Sequence, residues 1–201
     1  MKLTPKTATL LVLAALIALT PLFFPSGYYY RVGALIFVNG LSVLGIVILT
    51  GYAGQVSLGH AGFAGIGAYA CALAPVHLGL HPALAIVLGA VISAIMAWLV
   101  GRPILRLKGY YLGVASLGFG ILVSMVLSNE RWLTKGPDGI EVPDLGLRDL
   151  LKDMGLKLAN GEFWYFFSGI CLLLGAWLVL NLYDSPTGRA LRALHGSEIA
   201  A

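Results

Sequence analysis

The sequence predicts an all-α fold, a polytopic transmembrane helical bundle of about six spans, and three observations lead there. Apolar residues make up 59% of the chain and charged residues 11%, with a mean hydropathy of +0.89, whereas a soluble domain carries roughly a quarter of its residues as charges. The apolar residues gather into runs close to the roughly 20 residues a helix needs to cross a bilayer. Lysines and arginines fall between those runs, where they set topology. A water-soluble globule is thereby excluded. No stretch is left for a separate soluble domain, so residues 1–201 read as one membrane domain.

The first span covers residues 8–24. Lys2 and Lys6 precede it, as in an export signal, but Thr20, Pro21, Leu22 and Phe23 offer no small-x-small cleavage site, and further spans follow. It is expected to be retained. The second span covers 32–50. A third, 56–74, is weaker because it carries Ser57, His60 and the glycines Gly59, Gly62, Gly65 and Gly67; it either crosses or enters as a broken helix. The fourth, fifth and sixth cover 83–101, 110–128 and 163–182. The five other than 56–74 are apolar around their circumference, as lipid-embedded helices are.

Placing the N-terminus in the cytoplasm gives that side Lys2, Lys6, Arg102, Arg106, Lys108, Arg189 and Arg192, against the acids Asp184 and Glu198. The short loops opposite, 25–31 and 75–82, then hold Arg31 alone among the basic residues. This satisfies the positive-inside rule if 56–74 crosses fully. A multi-pass protein with a cytoplasmic N-terminus follows. The isoelectric point of about 9.1 does not point to nucleic acid, because the basic residues are spread over several loops. The segment 129–162 becomes an extracytoplasmic loop with five basic and seven acidic residues. Gly136, Pro137, Asp138 and Gly139 signal a turn in it. Leu145, Leu147, Leu150, Leu151, Met154, Leu156 and Leu158 alternate with charges, as in an amphipathic segment at the membrane surface.

Residues 50–69, TGYAGQVSLGHAGFAGIGAY, are the most informative stretch. Ala61 with Gly65, and Ala64 with Ala68, are spaced to let helix backbones approach closely in lipid. One reading stops at a tight helix crossing. The other starts from Gln55, Ser57 and His60, which are costly in hydrocarbon unless they face a cavity or a partner. Glycine-interrupted half-helices in transporters present backbone N–H groups to anionic substrate groups near the midplane. In 102–120, RPILRLKGYYLGVASLGFG, the basic residues and Tyr110 and Tyr111 mark an interface, and Ser116, Gly118 and Gly120 are candidates for a lumen face. His60 has no second histidine at helical spacing. His77 and His81 fit ordinary interfacial positions.

Residues 184–201, DSPTGRALRALHGSEIAA, predict a short cytoplasmic helix capped by Ser185, with Pro186 first and Gly196 at its end. Ala190, Leu191 and Leu194 share one side of it, which suits either docking in a groove of a soluble partner or lying on the membrane. Cys71 and Cys171 read as buried free thiols. The sequence has no GxxxxGK[ST] phosphate loop and no GxSxG or HExxH motif, so it reads as a non-enzyme without a cofactor of its own.

Together, TGYAGQVSLGHAGFAGIGAY, LRLKGYYLGVASLGFG and SPTGRALRALHGSEIAA resemble the LivM-type permease of branched-chain amino acid ABC importers. Gly136, Pro137, Asp138, Gly139 and Ile140 fit the same pattern, with Lys135 where that family often has glycine. The resemblance runs from about residue 32 to the end. It implies a LivH-type permease partner, a periplasmic or lipoprotein substrate-binding protein, and two cytoplasmic ATPase subunits that bind ATP and magnesium. It implies that 183–201 is the ATPase-coupling loop, with Gly188, Arg189, Leu191, Arg192, Leu194 and Glu198 as coupling residues. It also places the glycine-rich region along a translocation route, for which Gln55, Ser57, Gly59, His60, Gly62, Gly65, Ser116 and Gly118 are the candidates. Family members continue past this point with further spans, so the chain is expected to be a truncated or partial permease. Urea or a short amide is the alternative cargo. An ATP-independent channel or carrier using His60 and Gln55, or an assembly subunit without a pore, are the rivals of other classes.

Overall fold

The computed structural model of the chain describes residues 5–107, 109–136, 139–142 and 159–196. They form α1 (Pro5–Leu19) with a 3-10 turn at Thr20–Phe23, α2 (Gly27–Ile46) running on as a π turn at Val47–Tyr52, α3 (His60–Leu78), α4 (Pro82–Ile104), α5 (Tyr110–Asn129), the single turn α6 (Arg131–Thr134), α7 (Asn160–Asp184) and α8 (Pro186–Gly196). Six of these, α1 to α5 and α7, are long and apolar enough to cross a membrane. The amphipathic pattern expected at 145–158 and the segment 197–201, which includes Glu198, lie outside the described residues. Contacts divide the chain into two units, Met1–Gly54 with Leu151–Ala201, and Gln55–Leu150.

In the first unit α2 and α7 run parallel and make its most extensive packing. Glycines set the spacing. A Cβ on Gly33 would lie 2.5 Å from the ring of Tyr165, one on Gly40 would lie 3.2 Å from Leu172, and one on Gly175 would lie 2.9 Å from Leu41, so the two helices stay in register for three turns. Close backbone approach of this kind is how helices associate in lipid. Tyr165 is 1% exposed. Its hydroxyl donates to the Ile17 carbonyl of α1 at 3.0 Å, and its ring meets Phe24, Tyr30 and Phe37 at centroid distances of 5.0–5.6 Å. α1 runs antiparallel to both, because Lys6 at its start pairs with Asp184 at the end of α7.

The starts of α2 and α7 meet where Gly161 approaches the Gly27 carbonyl, and their ends meet where Tyr52 approaches Tyr183. The second unit holds three helices of spanning length, α3, α4 and α5.

In the second unit α3 and α4 pack through Gly67 and Cys71 against Gly89 and Ser93. A Cβ on Gly89 would lie 2.7 Å from the Gly67 carbonyl oxygen and 3.2 Å from Cys71, and the Ser93 hydroxyl donates to the Phe63 carbonyl at 2.9 Å. The spacing of Ala61 with Gly65 and of Ala64 with Ala68 suggests a close helix approach without naming the partner. Ala61, Ala64 and Ala68 are exposed instead, because the crossing uses the next face of the helix. α3 also starts and ends four residues later than the expected 56–74. Gly54 takes a positive φ of 67°, which ends the π turn, and residues 55–59 are not helical. At the other end Pro75 costs α3 one hydrogen bond, and the stop comes at Gly79, whose φ is 62°. The left-handed C-terminal glycine closes the helix as expected of such a residue.

Candidate functional site

The break before α3 is anchored by one side chain. Ser116 of α5 is 5% exposed; its hydroxyl accepts the amide hydrogen of Leu58 at 2.9 Å and donates to the Gly113 carbonyl at 2.9 Å. Gly59 is buried against the Ser116 carbonyl so closely that a Cβ there would collide with it. A Cβ on Gly62 would lie 3.1 Å from the Cα of Gly120. The glycines of 59–62 thus let an irregular backbone and the first turn of α3 lie directly on α5. Such backbone is tolerated at membrane depth where protein or a cavity surrounds it.

α3 begins at His60 with Gly59 as N-cap, and no side chain caps it. Gly62 N–H bonds the Gly59 carbonyl at 3.0 Å. The preceding first-turn amides keep their partial positive charge. Beside this turn lies a cleft of about 410 Å³, lined among others by Leu58, Ala61, Gly62, Gly65, Tyr69 and Ser124. Leu117, Ile121 and Leu127 of α5 give it an apolar wall, and Ser128 a second hydroxyl. It can take a small molecule with an aliphatic part and a polar end.

The sequence candidates therefore separate. Gly62 and Gly65 line the cleft, and Gly59 and Ser116 meet at the anchor. Gln55, Ser57 and His60 are half-buried at and before the start of α3 and stand outside the lining. Gly118 also stands outside it, and nothing lies within 4 Å of the position its Cβ would take. Sequence reasoning passed over Tyr69, Leu117, Ser124, Leu127 and Ser128. The helical spacing of 117, 121, 124 and 128 on a helix apolar all round was the available signal. His77 and His81 have separate structural tasks: the ring of His77 lies 3.4 Å from the Leu133 carbonyl, and Nδ1 of His81 accepts from Ala83 N at 3.3 Å at the start of α4.

In the other unit, α8 is folded tightly onto the end of α7. The Ser185 hydroxyl accepts from Gly188 N at 3.0 Å, as an N-cap does, and donates to the Leu182 carbonyl at 2.7 Å. Gly188 is buried against that same carbonyl, where a Cβ would not fit. Arg189 donates to the Asp184 carbonyl at 2.9 Å. Arg192 donates to the Tyr183 carbonyl at 2.9 Å and holds its guanidinium 4.1 Å from the Tyr183 ring centre. Both arginines thus satisfy carbonyls that the end of α7 leaves without helical partners. Leu191 is half-buried, and Ala190 and Ala193 are exposed; the side chain of Leu194 lies outside the described residues.

Six spanning helices, one of them entered through a glycine-lined break beside a cleft, define a multi-pass helical membrane protein. The profile of the family described as branched-chain amino acid transport system / permease component matches residues 29–201, and the chain belongs to this family. It is 33% identical to the high-affinity branched-chain amino acid transport system permease protein LivM of Salmonella typhimurium, over 78% of this chain and 41% of that protein. It is 32% identical, with the same coverage, to the protein of that description from Escherichia coli. The chain thus spans about two fifths of the length of these relatives. No solved structure matches it.

Proposed function

We propose that this chain is a permease subunit of an ABC importer that carries leucine, isoleucine and valine across the bacterial inner membrane, with its N-terminus in the cytoplasm. One observation carries the reading: the uncapped first turn of α3 adjoins a cleft with an apolar wall formed by Leu117, Ile121 and Leu127. A zwitterionic amino acid would set its carboxylate against the first-turn amides and its branched side chain into the cleft. The relatives' described role in branched-chain amino acid transport agrees with that chemistry.

In this reading a LivH-type subunit completes the pathway, a binding protein delivers substrate, and two ATPase subunits supply the energy. α8 is the coupling helix, and its apolar edge at Leu191 and Leu194 is the docking surface. Arg189 and Arg192 then contribute by holding α8 on α7 rather than by reaching across to the ATPase.

The test is uptake of labelled leucine and, in parallel, urea by cells with and without the gene and with the partner ATPase active or inactivated. Gene-dependent and ATPase-dependent leucine uptake supports the reading. Urea uptake alone would change the cargo, and uptake that survives ATPase inactivation would replace the machine by a channel or carrier. Leu191→Glu with Leu194→Glu should abolish ATPase assembly, and unchanged assembly would remove α8 from the interface.

A further inference from the structure

The end of α2 departs from α-helical geometry where it meets α8. Val47–Tyr52 forms a π turn, with Ala53 N–H bonded to the Ile48 carbonyl at 3.2 Å and the Thr50 hydroxyl donating to Ile46 at 2.5 Å. π turns carry an extra residue per turn and concentrate at functional sites. α8 touches this turn. The most specific connection runs through Tyr183, whose ring packs edge-on against Tyr52 at 5.8 Å between centroids and also meets the guanidinium of Arg192 on α8 at 4.1 Å. Arg192, Tyr183 and Tyr52 are thus in sequence, and beyond Tyr52 the chain passes through Gly54 into the non-helical residues 55–59.

We propose that the π turn Val47–Tyr52 is the two-state element that senses the position of α8, with Tyr183 and Tyr52 as positioning residues that pass its movement to the break before α3. The proposal rests on α8 being the coupling helix. A π turn that reverts to α-helix shifts the residues directly after it by one helical position, roughly 100° around the axis and about 1.5 Å along it. Tyr52 holds the π form only while its ring stays on Tyr183. When an ATPase pulls α8, Arg192 draws Tyr183 with it, that contact loosens, and the turn can revert. A substrate carboxylate at the start of α3 would then lose or regain its amides. Such a link requires one element with two discrete forms that both ends bias, and the π and α forms of this turn are the two that the proposal assigns to it.

The test uses the complete transporter, full-length chain and all partners, reconstituted in liposomes. Tyr52→Leu and Tyr183→Leu keep apolar bulk and remove the aromatic contact, and Tyr52→Phe keeps the ring. Both leucine variants are expected to retain the ATPase subunits and hydrolyse ATP while leucine uptake falls about tenfold, within the range that residues along such a connection contribute; Tyr52→Phe is expected to transport normally. Amides of residues 48–53 in the unmodified transporter are expected to change their hydrogen-exchange protection between nucleotide-free and ATP-bound states. That second measurement decides the matter if a leucine variant does not assemble. Wild-type uptake in both leucine variants, uptake lost only in step with loss of the ATPase, or no exchange change at 48–53 would each overturn the proposal. Uptake by the unmodified transporter that is independent of ATP would instead overturn the coupling reading on which it stands.

Discussion

The amide of Leu58 and the hydroxyl of Ser116 meet at 2.9 Å, 58 residues apart in sequence, and their bond holds the irregular entry to α3 on α5. Ser116 is a positioning residue in this arrangement. Removing its hydroxyl takes the partner from the part-buried Leu58 amide, which costs about 1 kcal/mol. Ser116→Ala should therefore lower the thermal unfolding midpoint in detergent and reduce uptake, because the first turn of α3 loses its seat. A lining residue would respond differently, with uptake reduced at an unchanged midpoint.

Ser124 and Gly65 provide that opposite case. Both line the 410 Å³ cleft, Ser124 is exposed, and the nearest atom to a Cβ on Gly65 is the flexible end of Leu127 at 3.3 Å. Ser124→Leu should fill the cleft with little strain elsewhere. We expect uptake to fall by about tenfold, equivalent to roughly 1.4 kcal/mol, at an unfolding midpoint within about 0.5 kcal/mol of the parent, as for other substitutions away from buried features. Normal uptake by Ser124→Leu would remove the cleft from the route.

Five of the six spans can be read from hydropathy alone, because a long apolar run has few other stable forms in lipid. The cap at Ser185 is equally legible, since Ser-Pro before a helical pattern has one local meaning. α3 is harder. Its glycines announce close approach without saying to which helix, and Gly67 and Gly62 face different partners, α4 and α5. The anchoring bond of Ser116 is hidden in the sequence because the amide it satisfies belongs to a distant residue. The cleft face of α5 is hidden because all its faces are apolar, and a helix that is apolar all round does not reveal which face meets protein. The bonds that the arginines of α8 make to the carbonyls at the end of α7 are not legible in the sequence, because they depend on how α8 folds back on α7.

Gly33 and Gly118 offer a paired test of the packing. A Cβ on Gly33 meets the buried ring of Tyr165 at 2.5 Å, whereas one on Gly118 meets nothing within 4 Å. Tyr165 is also held by its bond to Ile17, so the ring cannot simply move aside. Gly33→Ala should destabilise by about 1–3 kcal/mol, the usual cost of overpacking, and Gly118→Ala should be neutral in both unfolding midpoint and uptake. Lost uptake in a stable Gly118→Ala protein would place Gly118 on the translocation route.

Lys6 and Asp184 join the first and sixth spans, and their pairing can be examined both as an energy and as a topology. Both side chains are partly exposed, at 34% and 59%, so screening by solvent limits the pair to less than about 1 kcal/mol. Lys6→Glu and Asp184→Lys should each lower the unfolding midpoint slightly, and the double reversal should recover most of the loss. The topological consequence is stronger than the energetic one. With Cys71 and Cys171 replaced by alanine, single cysteines at Lys6 and Ala190 should react with a membrane-impermeant thiol reagent from one side of the membrane, and a cysteine at Tyr28 from the other. In the proposed orientation the first side is cytoplasmic. Labelling of positions 6 and 190 from opposite sides would require an odd number of crossings between them, and would contradict both the Lys6–Asp184 pair and the full crossing of α3.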